Sequence, residues 1–226
     1  MKKLLFIGII FAVLTGCQSG KIEVRKEKQN DRTEMWDISV TKSLFSSTNA
    51  EYAGKFEIVN QRLTFLVDSL IKDFKTQVID YNKAFDTIPD GQPFRPLEMF
   101  VEDSVFSANT NYISLRLKVY ASLGGANGET SFYAINCDLN KKQFLSIGEI
   151  LNLKQVMSIN TLLKDNFKNP DHCFSDLPTV ASCSALNFTG KNVCFMYGKY
   201  VLGAGACGEL AIDIERSGLK DLLLIK

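Results

Sequence analysis

The only histidine in the chain, His172, stands between Asp171 and Cys173, and these side-chain types are common in nucleophilic and metal-binding sites. A Cys/His pair can supply a nucleophile and its base, and all three residue types can bind zinc. Three adjacent residues in a loop do not easily converge on one metal ion, and a second ligand pair such as Cys-x-x-Cys is absent from the sequence. The sequence therefore favours a surface or capping histidine, with a metal ligand or a catalytic base as the alternative.

Two serines and several acids are the remaining candidates for catalysis. Neither Ser122 nor Ser182 lies in a Gly-x-Ser-x-Gly elbow, and the same single histidine would have to serve either of them. Any fold can bring two carboxylates to the separation that a glycosidase needs, but the spacing along a sequence does not show it. The acids considered for such a pair are Glu98, Glu102, Asp103 and Glu129. We expect no enzymatic activity, no cofactor and no metal, with a peptidoglycan or glycan hydrolase as the alternative.

The first residues of the chain resemble the export signal of a bacterial lipoprotein. Lys2 and Lys3 precede an apolar run from Leu4 to Leu14, which is shorter than the about 20 residues of a spanning helix. Leu14, Thr15 and Gly16 then lead to Cys17, as in a lipobox, where the cysteine receives a lipid such as palmitate. We predict a signal peptide over residues 1–16, a lipid on Cys17, and attachment to the cell envelope at the outer membrane or facing the periplasm. The alternative is an ordinary signal peptide that contains a cysteine.

The charge balance excludes one class of partner. Without the two lysines of the signal peptide, 24 of the 26 basic side chains remain against 25 acidic ones. A nucleic-acid-binding surface needs an excess of basic residues, and export is a second argument against that partner. The 46% of hydrophobic residues is enough for one sizeable core.

Five cysteines follow Cys17, and an exported chain meets an oxidising compartment in which disulfides form. An odd number leaves one thiol unpaired. Spacing favours a bond between Cys173 and Cys183, across a short loop that contains a proline, and another between Cys194 and Cys207, across a predicted hairpin. Cys137 is then the free thiol, buried by its strand. Spacing alone does not fix this connectivity.

The elements that must position these residues begin after a polar, charged segment, residues 17–32, which we interpret as a tether between the lipid and the folded domain. Alternation predicts a strand from Trp36 to Phe45, and an apolar stripe predicts a long helix from Glu51 to Tyr81. Four Gly and Pro residues between Pro89 and Pro96 predict a loop. This loop divides the chain into segments 33–94 and 95–226, which we expect to pack as one unit.

The second segment is predicted to alternate between strands and short helices. Ser146 and Glu149 have the spacing of a capping box and open the middle helix. The predicted strands are Met99–Phe106, Tyr112–Ser122 and Ser131–Leu139, a hairpin of 187–200 with 207–214 follows, and the helices are 146–167 and 218–224. The fold class is therefore α+β, in which a long N-terminal helix, a middle helix and a short C-terminal helix pack on antiparallel sheet.

Two stretches resemble an extracytoplasmic family of unknown function. The first is Tyr120–Gly128, followed by Asp138-Leu139 and by Gly148–Leu151, and the second is Tyr197–Gly208. The helix with Asn60, Leu63 and Leu70 resembles the segment that usually precedes them. This family occurs as the extracellular half of a lysozyme-sensing anti-sigma factor, beside a peptidoglycan deacetylase domain, and as free-standing lipoproteins.

The resemblance covers residues 95–224 and brings no catalytic motif. Asn127 stands where the family often has histidine, and Cys207 lies in the closing Gly-rich stretch. The resemblance therefore carries over no ligand role that depends on this histidine. The deacetylase chemistry of the family belongs to a separate domain.

We place the predicted binding surface on two Gly-rich connections, Gly124–Gly128 and Leu202–Gly208, because glycines expose backbone donors and acceptors and loops often carry binding. Tyrosines flank both connections and can stack on sugars or fill protein pockets. The candidate binding residues are Tyr120, Gly124, Gly125, Asn127, Tyr197, Tyr200, Gly203 and Gly205, with Tyr133 nearby. The alternative is that the tyrosines pack in the core and the glycines allow tight turns.

The sequence thus predicts a non-enzymatic, lipid-anchored envelope protein that binds a cell-wall or extracellular macromolecule. Its expected partners are the membrane, through the lipid, and peptidoglycan or a lysozyme-like protein. A structural or chaperone-like envelope factor is a third hypothesis, for which the sequence has no signature.

Overall fold

The computed structural model describes residues 22–85, 96–124 and 128–225. The predicted signal peptide, Cys17 and residues 89–95 of the predicted loop lie outside these ranges. Two sheets and four α-helices make up the described part of the chain.

The first sheet begins with a long antiparallel ribbon. β1 (Ile22–Arg32) pairs along its whole length with β2 (Trp36–Ser47). The prediction of a tether over residues 17–32 is therefore wrong from Ile22 onwards. β1 is an edge strand that is held by backbone pairing and buries little apolar surface. Its charged sequence therefore did not predict a strand. Ion pairs from Lys26 to Asp103 and from Asp31 to Lys75 add to this pairing.

The predicted long helix is confirmed as α1 (Ala50–Phe85), which packs its apolar stripe on the sheet. The stripe consists of Phe56, Val59, Leu63, Val67, Phe74 and Val78, each buried. Asn60 fixes the helix to the ribbon, because its side-chain amide accepts the Phe45 N–H at 3.0 Å and donates to the Phe45 carbonyl at 2.8 Å.

The chain then returns through α1 to complete a six-stranded sheet in the order β1 to β6. Its strands are β3 (Leu97–Ala108), β4 (Tyr112–Ser122), β5 (Glu129–Asp138) and β6 (Gln143–Phe144). The helical crossover makes β2 and β3 parallel, with Trp36 opposite Leu97, whereas the other pairs in this sheet are antiparallel. The residues on both sides of the predicted 94/95 boundary thus share one sheet.

A second, three-stranded antiparallel sheet lies on the opposite side of β4 and β5 from α1. It consists of β7 (Ala185–Phe188), β8 (Asn192–Tyr197) and β9 (Leu210–Glu215). The predicted hairpin is formed by β8 and β9, and its first arm starts later than expected because residues 189–191 turn the chain. α3 (Val156–Asn166) packs beside β9 over a second apolar core.

The predicted middle helix is divided. α2 (Ile147–Ile150) ends at Leu151, whose extended backbone pairs with Leu223 near the C-terminus, and a 3₁₀ turn precedes α3. The predicted capping box is present, with the Ser146 N–H donating to the Glu149 carboxylate at 2.8 Å. The predicted final helix becomes α4 (Arg216–Leu219) followed by a 3₁₀ turn, Lys220–Leu222. The α+β fold class is confirmed.

One disulfide is present among the described residues, and it joins Cys173 to Cys207. The predicted pairs Cys173–Cys183 and Cys194–Cys207 are both wrong, and Cys137, Cys183 and Cys194 are free. The strand register explains the error, because Cys194 lies opposite Asp213 and Cys207 lies beyond the paired part of the hairpin.

A disulfide in the folded domain indicates an extracytoplasmic location. None of the described helices is long and apolar enough to cross a membrane.

Candidate ligand-binding face

The side of the six-stranded sheet that faces away from α1 is covered only in part by the second sheet. The uncovered part, which we call the aromatic face, carries outward side chains from β2, β3 and β4. They are Ser39, Thr41, Phe100, Glu102, Lys118 and Tyr120, and with Val101 they line a depression of about 170 Å³. Strand register places them together, because Ser39 lies opposite Phe100 and Phe100 lies opposite Tyr120.

Two stacked aromatic rings form the centre of this face. The ring centroids of Phe100 and Tyr120 are 5.9 Å apart and the rings are inclined by 25°. Phe100 is 44% exposed, although its neighbours Met99 and Val101 on the same strand are buried under α1. A large exposed apolar ring on the polar side of a strand is a feature of binding surfaces.

Charged and hydroxyl groups surround the rings. The Lys118 ammonium lies 3.0 Å from the carboxylate of Glu209, which follows the second Gly-rich connection, and Glu102 lies opposite Lys118 in the strand register. Ser39 and Thr41 contribute hydroxyls on the neighbouring strand. The face therefore offers an apolar platform with donors and acceptors at its edge, which suits a ligand with flat apolar surfaces and hydroxyl groups.

The first Gly-rich connection supports this platform. A side chain on Gly128 would overlap the Tyr120 ring, so the absence of a Cβ lets the ring lie against the backbone. Gly124 has φ +84° and would collide with the Tyr81 ring on α1 if it carried a Cβ. Of the other predicted binding residues in this connection, Gly125 and Asn127 lie outside the described residues.

The second Gly-rich connection is mainly structural. Gly203 lies against residues 173–175, with its ideal Cβ position 3.1 Å from the Cys173 carbonyl oxygen, and Gly205 lies against the Tyr200 ring. Tyr200 is 62% exposed and remains available to a partner. Glu209, which directly follows this connection, contacts Lys118 of the aromatic face.

Tyr197 was predicted to bind and is instead a core residue. It is fully buried, and its hydroxyl donates to the Thr179 carbonyl at 3.1 Å. Burial raises the pKa of Tyr197 well above its usual range. The prediction is wrong because Tyr197 ends β8 in the middle of the second core, where an amphipathic ring fills space and its hydroxyl finds a backbone partner.

Of the residues considered for catalysis, the β3–β4 register places Glu98 opposite Ser122. Among the described residues, no hydrogen bond joins His172 to Ser122 or Ser182. His172 is exposed, with φ +50°, and its neighbour Cys173 is held in the disulfide. The Ser182 hydroxyl lies in a local turn with Thr179. Asp103 is buried and forms an ion pair with the partly exposed Lys26, whereas Glu102 points to the other side of the same strand. Within residues 22–85, 96–124 and 128–225, no cluster of three His, Cys, Asp or Glu side chains is arranged to hold a metal ion.

Of the residues of the aromatic face, the sequence predicted only Tyr120 as a binding residue, whereas Glu102 was considered for a catalytic pair. The signal for Phe100 was present, because Leu97, Met99 and Val101 define the buried side of β3 and Phe100 falls among Glu98, Glu102 and Ser104 on the other side. An aromatic residue in the polar phase of an alternating strand marks an exposed ring. Glu209 gave no such signal, because its contact with Lys118 arises from packing between the two sheets.

The comparisons with known proteins agree with the predicted resemblance. A DUF3298 family structure from Bacteroides fragilis superimposes with a TM-score of 0.67 at 15% identity, covering 90% of this chain and 94% of that one. A DUF3298 structure from Pseudomonas aeruginosa gives a TM-score of 0.54 at 15% identity with the same coverage. The fold is thus that of a DUF3298 domain.

In sequence, the chain is similar to the peptidoglycan-N-acetylmuramic acid deacetylase PdaC of Bacillus subtilis, with 24% identity over 168 residues. The match includes 70% of this chain and spans only 36% of the length of PdaC. No family model matches the chain.

Proposed function

We propose that this chain is a non-enzymatic envelope protein, lipid-anchored through Cys17, that binds the glycan strands of peptidoglycan on its aromatic face. The observation that carries the proposal is the exposed Phe100 ring, stacked on the half-buried Tyr120 ring in a polar sheet surface. One face of a pyranose ring is apolar and packs on aromatic rings, while its hydroxyls need partners of both donor and acceptor type. Lys118 and Glu102 offer these partners beside the rings.

The similarity to PdaC supports the choice of ligand. PdaC is a peptidoglycan deacetylase by name, and the match spans 36% of its length. A domain that resembles part of a peptidoglycan-modifying protein is suited to bind the cell wall and to hold the protein there. The lipobox-like sequence before Cys17 and the disulfide support a place in the envelope.

Binding is tested with the domain beginning at Gln18 and with purified insoluble peptidoglycan. The wild type is expected to sediment with the polymer, and soluble N-acetylglucosamine-containing oligomers should compete. Phe100→Ala and Tyr120→Ala should each weaken binding by more than about tenfold, which corresponds to about 1.4 kcal/mol. Phe65→Ala is the matched control, because this ring is 66% exposed on α1 and away from the face.

The other hypotheses have different outcomes in the same assay. Tyr200→Ala tests the second Gly-rich connection, and a loss in this variant alone would move the site there. Release of soluble fragments from the polymer, abolished by substitution of one acid, would establish a hydrolase. Capture of lysozyme by the aromatic face, without binding to peptidoglycan, would overturn the glycan proposal in favour of a protein partner.

A further inference from the structure

The outer side of β5 is an open sheet edge. β6 pairs only with Cys137 and Asp138, so the part of β5 from Glu129 to Asn136 has a strand partner on the β4 side alone within the described chain. The open edge borders a groove of about 430 Å³, which we call the β5 groove. Its walls are Phe132–Asn136, Phe144–Ile147, Ser184–Leu186, and Arg62 with Leu66 from α1.

Two hydrogen bonds establish which backbone groups face the groove. The Leu139 N–H donates to the Asn111 carbonyl at 2.8 Å, so odd-numbered residues of β5 pair with β4. The Leu145 N–H donates to the Asn136 carbonyl at 2.8 Å, so even-numbered residues point outward. The β4–β5 register is continuous, and this alternation therefore leaves the N–H and C=O of Phe132 and Ala134 directed into the groove. Ala134 is exposed.

The two edges of the six-stranded sheet differ in their protection. The β1 edge is charged at most positions, which discourages pairing with another strand. Between Thr130 and Cys137, β5 carries no charged residue and no proline. An uncharged open edge is unusual unless something pairs with it.

The geometry points to β-strand addition: the β5 groove receives a single extended, acidic peptide segment of a partner protein, which pairs with Phe132 and Ala134. Because Phe144–Ile147 and Ser184–Leu186 form walls beside the edge, we expect a single peptide strand to fit the groove better than the sheet edge of a second copy. Arg62 supplies the positive charge at the groove, with its guanidinium 5.9 Å from the centre of the Phe144 ring. Charge complementarity therefore favours a carboxylate on the peptide.

The probes are two pools of fluorescein-labelled peptides of about eight residues, in which Val, Ile or Tyr alternate with Ser, Thr or Asn. The pools are identical except for one central Glu or one central Lys. We expect the Glu pool to bind at least about fivefold more tightly, and Arg62→Gln to remove this preference. Methylation of alternate backbone nitrogens should abolish binding in one register only, because only every second N–H of an added strand faces β5.

Ala134→Pro removes an outward N–H without touching the β4 ladder, and Ala134→Ser is the matched control that keeps it. Binding should fall about tenfold in the first variant and stay unchanged in the second. If Ala134→Pro fails to fold, the comparison of the two methylation registers tests the proposal in its place. The proposal is overturned if neither pool binds at about 1 mM, if both methylation registers bind equally, or if the open edge instead mediates a dimer that Ala134→Pro dissociates.

Discussion

Ser114 on β4 and Asn187 on β7 join the two sheets, with the Asn187 amide nitrogen 3.2 Å from the Ser114 hydroxyl. The same hydroxyl donates to Asn136 Oδ1 at 2.7 Å and accepts the Phe188 N–H at 3.0 Å. All these side-chain groups are buried, so the junction tolerates little variation in how the three-stranded sheet lies on the six-stranded one.

Ser114→Ala should lower the free energy of unfolding by about 1–3 kcal/mol, because the Phe188 N–H loses its acceptor in the interior. The measurement is chemical denaturation followed by circular dichroism. Ser104→Ala, on the exposed side of β3, serves as the control and should change stability by less than about 0.5 kcal/mol. Equal effects in the two variants would contradict a structural role for the junction.

Peptide mapping without reduction should find Cys173 linked to Cys207, with Cys137, Cys183 and Cys194 as free thiols. The double variant Cys173→Ser with Cys207→Ser should lose about 2–4 kcal/mol of stability, because the bond restrains a long loop in the unfolded chain. Addition of a reductant should destabilise the wild type and leave the double variant unchanged. A linked Cys183 or Cys194 would disprove the connectivity.

Burial raises the pKa of the Cys137, Cys183 and Cys194 thiols to about 11. A thiol with its ordinary pKa loses its proton near pH 9, so these three thiols ionise at a lower pH in the unfolded chain than in the folded one. The free energy of unfolding should therefore fall as the pH rises from about 9 to about 11. The loss is at most about 1.4 kcal/mol per pH unit for each thiol. Cys137→Ala should flatten this decline, and an unchanged slope would contradict the assignment.

Gly54 lies on the exposed side of α1, and a side chain there would meet no atom within 4 Å. Gly54→Ala should therefore stabilise the protein by about 0.5–1 kcal/mol, since glycine costs entropy within a helix. Thermal unfolding measures the gain. Gly128→Ala is the contrasting variant, because its new methyl would displace the Tyr120 ring and should reduce peptidoglycan binding. A destabilised Gly54→Ala would show that the helix is not continuous at this position.

Lipidation remains a prediction from the sequence before Cys17. Labelled palmitate should be incorporated into the full chain, and Cys17→Ala should abolish both labelling and partition into detergent. Cys137→Ala is the control because this thiol is buried in the folded domain. Equal labelling of wild type and Cys17→Ala would rule out this attachment site.

The sequence predicts those parts of the fold whose order is local. The apolar stripe of α1 and the alternation of β4 identify both elements because each buries one side against the same core. β1 escaped detection because an edge strand draws its stability from a neighbour's backbone and keeps charged side chains. The Cys173–Cys207 bond was not predicted, because it joins two loops that tertiary packing brings together and spacing along the chain does not indicate this contact.

The same limit applies to the candidate site. Tyr120 was recognised as an unusual tyrosine beside glycines, but its partner Phe100 lies on another strand and the pair exists only through register. Tyr197 has a similar sequence context and is buried, since a ring at the end of a strand faces the core or the solvent according to which layer covers it.

The parallel seam between β2 and β3 has a consequence for the order of folding. The β1–β2 ribbon and the strands from β3 to β5 each pair with sequence neighbours and can form early. Trp36 meets Leu97 only after α1 has folded back over both pieces, so closure of this seam is the non-local step that we expect to limit the folding rate. Until then, β2 and β3 each present an unpaired side, and the newly exported chain is most vulnerable to aggregation and proteolysis during that interval.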